Sequence, residues 1–77
     1  MEPRRDLLAA FGRAIRRARR ARGLSQEVLG FEAELDRTYV SGVERGVRNP
    51  TVRVVARLAS ALGVRPSTLF RSAERGR

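Results

Sequence analysis

The chain has 77 residues and a net charge of +9, and all 17 of its basic residues are arginine. A length of this order makes one domain with a modest core. There is no cysteine and no histidine, so disulfides, thiolate metal sites, the commonest zinc ligand and the commonest general base are excluded. No metal and no cofactor is expected. The longest apolar run is far short of a membrane span, and the opening MEPRRDLL lacks the apolar stretch of a signal peptide; a soluble, cytoplasmic protein is expected. The positive balance makes a polyanion the default partner. Its distribution sharpens this. Residues 1–23 carry eight arginines against Glu2 and Asp6, while residues 24–36 carry no arginine and four acids, Glu27, Glu32, Glu34 and Asp36. A uniform solubilising coat would not be segregated in this way.

The first helix is expected from about Leu7 to Arg22, with Asp6 as N-cap and Gly23 in the left-handed position past its end. Leu8, Phe11, Ile15 and Ala18 repeat at spacings of three and four and give it one apolar stripe. Two short helices follow, Gln26 to Ala33 and Arg37 to Arg45. Ser25 and Asp36 stand at their starts, where a side-chain oxygen accepts a free backbone N–H. Leu29 and Ala33 share one face, Val40 and Val43 share another, and Leu35 lies in the turn between them. Val47 to Pro50 read as a loop, since proline biases Asn49 away from helix.

Thr51 then caps a fourth helix, Val52 to Leu62, with Val52, Val55, Leu58, Ala59 and Leu62 on its apolar face and Gly63 at its end. Pro66 suits the first turn of a short fifth helix holding Leu69 and Phe70. From about Ser72 the tail is expected to fray. No segment has the alternation of a strand. The expected fold is all-α, a single five-helix domain over residues 1–77 with its core in about 7–71.

The stretch GLSQEVLGFEAELDRTYVSGVERGVRNPT, followed by LASALGV, resembles the helix-turn-helix domain of Cro and the phage repressors, the Xre-type regulators. The resemblance covers about Leu7 to Phe70. LDRTYVSGVERGVRN is similar to the recognition segment of controller proteins of restriction–modification systems, which are small dimeric regulators. The resemblance implies that the third helix enters the major groove of DNA while the second crosses the backbone above it. It makes Arg37, Thr38 and Ser41 the base readers and Gln26 a phosphate ligand. Residue chemistry agrees. Arginine in a first turn can fork onto guanine O6 and N7, and a helix N-terminus favours phosphate. Tyr39, Arg45, Arg48 and Asn49 are further phosphate candidates.

Glu44 is an odd residue for a DNA-facing helix. In the family its position pairs with an arginine of the first helix, which Arg19 matches; the pair is expected to be structural. Three positions depart from the family pattern. Glu34 replaces a turn glycine, Gly30 replaces alanine, and Gly42 lies inside the third helix, where it either admits a close backbone approach to DNA or adds nothing to base reading.

The function expected is a sequence-specific DNA-binding transcriptional regulator, a homodimer on a two-fold symmetric operator. Val64, Leu69 and Phe70 supply the expected interface, being more apolar surface than one small core needs. A restriction controller, a prophage repressor and an antitoxin-type autoregulator all fit. A protein-interaction adaptor or an RNA-binding module would be a different class; the adaptor needs no base readers, and RNA modules usually carry aromatic platforms that this chain lacks. No paired carboxylates or nucleophile–base set marks an enzyme.

Overall fold

The computed structural model describes residues 3–75, and side chains over residues 7–75. Five α-helices follow one another: α1 (Pro3–Ala21), α2 (Gln26–Ala33), α3 (Arg37–Glu44), α4 (Val52–Leu62) and α5 (Pro66–Arg75). No strand occurs among the described residues. α1 is the spine, packed against α5 and α3, while α2 bridges α3 and α4.

Four of the helices end alike, and the sequence says why. After α1, α2, α3 and α4 the chain passes through one left-handed residue: Gly23, Glu34, Gly46 and Gly63. An apolar residue follows each, and its N–H closes the end. Leu24 bonds to the Arg19 carbonyl at 3.1 Å, Leu35 to Gly30 at 2.8 Å, Val47 to Gly42 at 2.9 Å and Val64 to Ala59 at 3.0 Å. This is the Schellman pattern, in which the residue past the left-handed position folds back over the last turn. Three positions are glycine, for which the left-handed region carries no Cβ penalty. Glu34, at φ +60°, is the exception and bears about 1 kcal/mol of strain there.

The helix starts divide. Ser25 Oγ accepts from the Val28 N–H at 3.0 Å, and Thr51 Oγ1 from the Val54 N–H at 3.2 Å. Asp36 caps nothing with its side chain; its Oδ2 instead accepts the Thr38 hydroxyl at 2.9 Å. α1 begins at Pro3, so Asp6 lies inside the helix and is not its N-cap. Proline suits a first turn because its missing N–H would be unpaired there anyway.

The core joins Phe11 and Ile15 of α1, Leu29, Val40 and Val43 of the two short helices, Leu58 and Leu62 of α4, and Leu69 of α5. Leu8 and Ala18, at the two ends of the stripe, are only half-buried. Ala10 and Ala14 lie wholly inside, because α1 is covered on two sides by α3 and α5. Two expectations fail at the edges. Val52, the first residue of α4, is 86% exposed, while Val55 on the same turn is buried. α5 runs through Ser72 to Arg75, with Ala73 fully buried against the core. Arg17 fastens this last stretch by donating to Ser72 Oγ at 2.6 Å.

Candidate nucleic-acid interface

α3 has two unlike sides. Its inner side ends on Glu44, whose side chain is fully enclosed. Arg19 grips this carboxylate twice, Nε to Oε2 at 2.6 Å and Nη2 to Oε1 at 3.1 Å, and gives its Nη1 to the Leu24 carbonyl at 2.8 Å. Gln26 Nε2 donates to the same Oε1 at 3.0 Å, and Arg16 Nε reaches it at 3.3 Å. Burial alone would push the Glu44 carboxyl up. The hydrogen bonds from Arg19, Gln26 and Arg16 and the Arg19 charge outweigh it and hold the carboxyl below its ordinary value. The hydrogen bond to Glu44 raises Arg19 in turn, against the opposing effect of burial. Both shifts favour the charged pair.

The expected Arg19–Glu44 pair is therefore present, and two of its companions were not foreseen. Arg16 stands three residues before Arg19, one turn back on the same face of α1, a spacing that would have exposed it. Gln26, the expected phosphate ligand at the start of α2, rests one amide N–H on Glu44. One amide N–H and the carbonyl oxygen of that side chain stay uncommitted to this bond. Ser25 starts α2 and so sets where Gln26 points. Among the described residues, every buried side-chain nitrogen or oxygen has a hydrogen-bond partner.

A third contribution to this inner side carries no side chain. A Cβ built on Gly12 would lie 2.4 Å from the Val43 carbonyl oxygen and 2.5 Å from that of Glu44. α1 thus crosses α3 backbone to backbone, which is what allows Arg19 to reach Glu44. Gly30 serves the turn similarly: a Cβ there would meet the Leu35 carbonyl oxygen at 2.7 Å. Glycine in place of alanine at this position is thus a requirement of the turn and not merely a loss of helix propensity.

The outer side presents Arg37, Thr38, Ser41 and Arg45. Arg37, Thr38 and Arg45 are exposed and Ser41 half-exposed. Arg45 Nε donates to Ser41 Oγ at 3.3 Å, so that Arg37, Ser41 and Arg45 follow one another a turn apart along this side. Tyr39 is half-buried and packs on the core edge. Its ring carries the Arg48 guanidinium, whose central carbon lies 5.6 Å from the ring centroid. Asn49 is exposed beside it in the loop. Both ion pairs found among the described residues converge on Glu44; the charges of Arg37, Arg45 and Arg48 stand outside them.

The expected interface residues separate. Leu69 is 1% exposed and belongs to the monomer's own core, because α5 lies along α1 and turns this residue inward. Val64 is half-buried against the same core. Phe70 stacks on Phe11 with ring centroids 5.0 Å apart and remains 41% exposed.

Two short helices at a tight turn, α3 braced from behind by α1 and α2 by α4, with polar and cationic side chains in front, define a helix-turn-helix DNA-binding domain. The helix-turn-helix family model matches residues 15–69. The chain belongs to this Xre-like helix-turn-helix family of DNA-binding transcription regulators. It is 43% identical over 61 residues to the control protein C.BamHI of Bacillus amyloliquefaciens, spanning 78% of this chain and 75% of that one. Among solved structures it is similar to the restriction–modification controller protein C.AhdI from Aeromonas hydrophila. That match has 50% identity and a TM-score of 0.80, covering 80% of this chain and 94% of that chain. It is also similar to the controller protein C.Esp1396I, solved as a tetramer with its natural 35-base-pair operator. Here the identity is 33% and the TM-score 0.81, over 90% of this chain and 91% of that one. No helix among the described residues is long and apolar enough to cross a membrane.

Proposed function

We propose that this protein is a restriction–modification controller, a cytoplasmic regulator and not an enzyme, that binds a two-fold symmetric DNA operator as a homodimer. The observation that carries the reading is the outer side of α3, where Arg37 at its start, Arg45 at its C-cap and Arg48 in the loop beyond stand clear of the internal ion pairs, while the inner side is anchored. In this reading Arg37, Thr38 and Ser41 read base edges in the major groove, with Arg37 forking onto a guanine. Arg45, Arg48, Asn49, the Tyr39 hydroxyl and the uncommitted amide N–H of Gln26 hold phosphates. The operator-bound tetramer of C.Esp1396I supports DNA as the ligand and self-assembly as the mode.

The dimer contact in this reading centres on Phe70, the half-exposed apolar residue of α5, with the half-buried Val64 contributing; Leu69 is removed from it by burial. Recognition helices of such a dimer stand about 34 Å apart, one turn of B-DNA. The test is selection from a random-sequence duplex library, with sedimentation equilibrium on the recovered duplex. The expected product is an inverted repeat bound by two or four chains. Recovery of unrelated sequences, or a single chain per duplex, overturns the reading.

A further inference from the structure

We propose that Gly42 is a positioning residue for DNA binding, touching no DNA itself: with the Tyr39 ring it forms a seat that pre-sets Arg48 against the outer side of α3. The inference rests on the reading of Arg48 as a phosphate ligand. Three observations meet here. Gly42 sits mid-helix yet is buried, and what covers it is the Arg48 side chain. A Cβ on Gly42 would lie 2.6 Å from Arg48 Cγ and 3.4 Å from its Nε. Beyond that point the guanidinium lies over Tyr39, at 5.6 Å from the ring centroid, within the range of a cation–π contact. The backbone cooperates. Gly46, at φ +77°, reverses the chain, and the Val47 N–H bonds back to the Gly42 carbonyl at 2.9 Å, which lays residue 48 along the helix it has just left.

The energetic consequence follows from the length of the side chain. Arginine carries as much rotamer freedom as any residue, and a free loop arginine loses it on binding. An arginine already laid on a bare helix backbone and an aromatic face has lost much of it on folding. Affinity then rises by preorganisation without a new contact. Glycine is the one residue that leaves room for the stem. The space above Gly42 is filled by the protein's own arginine.

The experiment compares wild type, Gly42→Ala, Arg48→Ala and the double variant, on the duplex selected by wild type and on a scrambled duplex, across a salt series. Gly42→Ala is expected to fold with an unchanged or raised melting temperature, because alanine is the better helix former and the displaced atoms belong to a flexible side chain. It should weaken binding about two- to tenfold, the range that immobilising one long side chain commands. In the Arg48→Ala background the same change should have no effect. NMR supplies a signature independent of DNA: the Arg48 side-chain signals should carry a ring-current shift from the single tyrosine, lost in Gly42→Ala. Unchanged binding by Gly42→Ala overturns the proposal. So does an equal loss in both backgrounds, which would mean that DNA itself approaches Gly42. A lowered melting temperature with the ring shift retained would make the glycine merely a packing residue. If Arg48→Ala alone binds as wild type, the phosphate role of Arg48 fails and the proposal falls with it, whereas an intact ring shift would still show the seat.

Discussion

The two sides of α3 use the same kinds of side chain to opposite ends. On the inner side Glu44 and Arg19 satisfy each other, with Gln26, Arg16 and the Leu24 carbonyl completing the set. On the outer side Thr38 is tied to Asp36, Ser41 to Arg45 and Arg48 to a ring face, each by a contact at the surface. The difference is one of dielectric. An enclosed charge must be paired, since leaving it alone costs several kcal/mol. An exposed one is screened and holds its partner loosely, by under about 1 kcal/mol. Polar chemistry thus fixes α3 from behind and stays available in front.

The largest expected effects test the inner side. Glu44→Ala and Arg19→Ala should each lower stability by about 3–5 kcal/mol, a large share of what a domain this small possesses. Urea melts of both variants and the double variant form the check. The coupling should be strong, and additive losses would show that the pair does not act as a unit. Arg16→Ala, whose side chain is 42% exposed, should cost under about 1 kcal/mol. Gly12→Ala forces α1 and α3 apart at their crossing and should cost about 1–3 kcal/mol. A Gly12→Ala protein as stable as wild type would mean that the crossing is loose.

The outer side should respond in binding and not in melting. Arg37→Ala is expected to cost about 1–3 kcal/mol on the selected operator, little on scrambled duplex, and to relax discrimination at one base pair per half-site. Arg48→Ala should weaken both duplexes alike and lower the salt slope by roughly one unit. Equal losses on both duplexes for Arg37→Ala would make it a phosphate anchor only.

Acid separates the sides in a single protein. Glu44 titrates below its ordinary value of 4.5 when folded, so its contribution to stability is complete above that value. It is lost as pH falls through the lower, folded pKa. Melting temperature against pH should therefore drop in acid, and Glu44→Gln should flatten that drop. An identical acid profile in Glu44→Gln would place the titration elsewhere. The smallest expected change lies in the turn that joins α2 to α3. Glu34→Gly relieves about 1 kcal/mol of left-handed strain and gives back about 0.4–1 kcal/mol in unfolded-chain entropy. A gain of a few tenths of a kcal/mol at most should appear in urea melts, and a loss would show that the Glu34 side chain contributes more than its strain.

Much was legible in the sequence by itself. Ser25 and Thr51 announce helix starts, and Gly23 and Gly63 helix ends, because capping and left-handed turns depend on residues adjacent in the chain. The repeat of apolar residues fixed which face of each helix turns inward for Phe11, Ile15, Leu29, Val40, Val43 and Leu58, and a short, histidine-free chain with seventeen arginines pointed to a polyanion. The tertiary structure decided what depends on distance across the fold. Leu69 and Val52 are equally apolar in the sequence, and only the packing of α5 along α1 buries the first while the start of α4 leaves the second in solvent. Gln26 is a free amide in the sequence and a Glu44 ligand in the fold, eighteen residues away. In the sequence Gly12 carries no signal of its own and Gly42 leaves its role open. The crossing of α1 on α3, and the return of Arg48 across α3, make each a place where another part of the chain must come closer than a Cβ would allow.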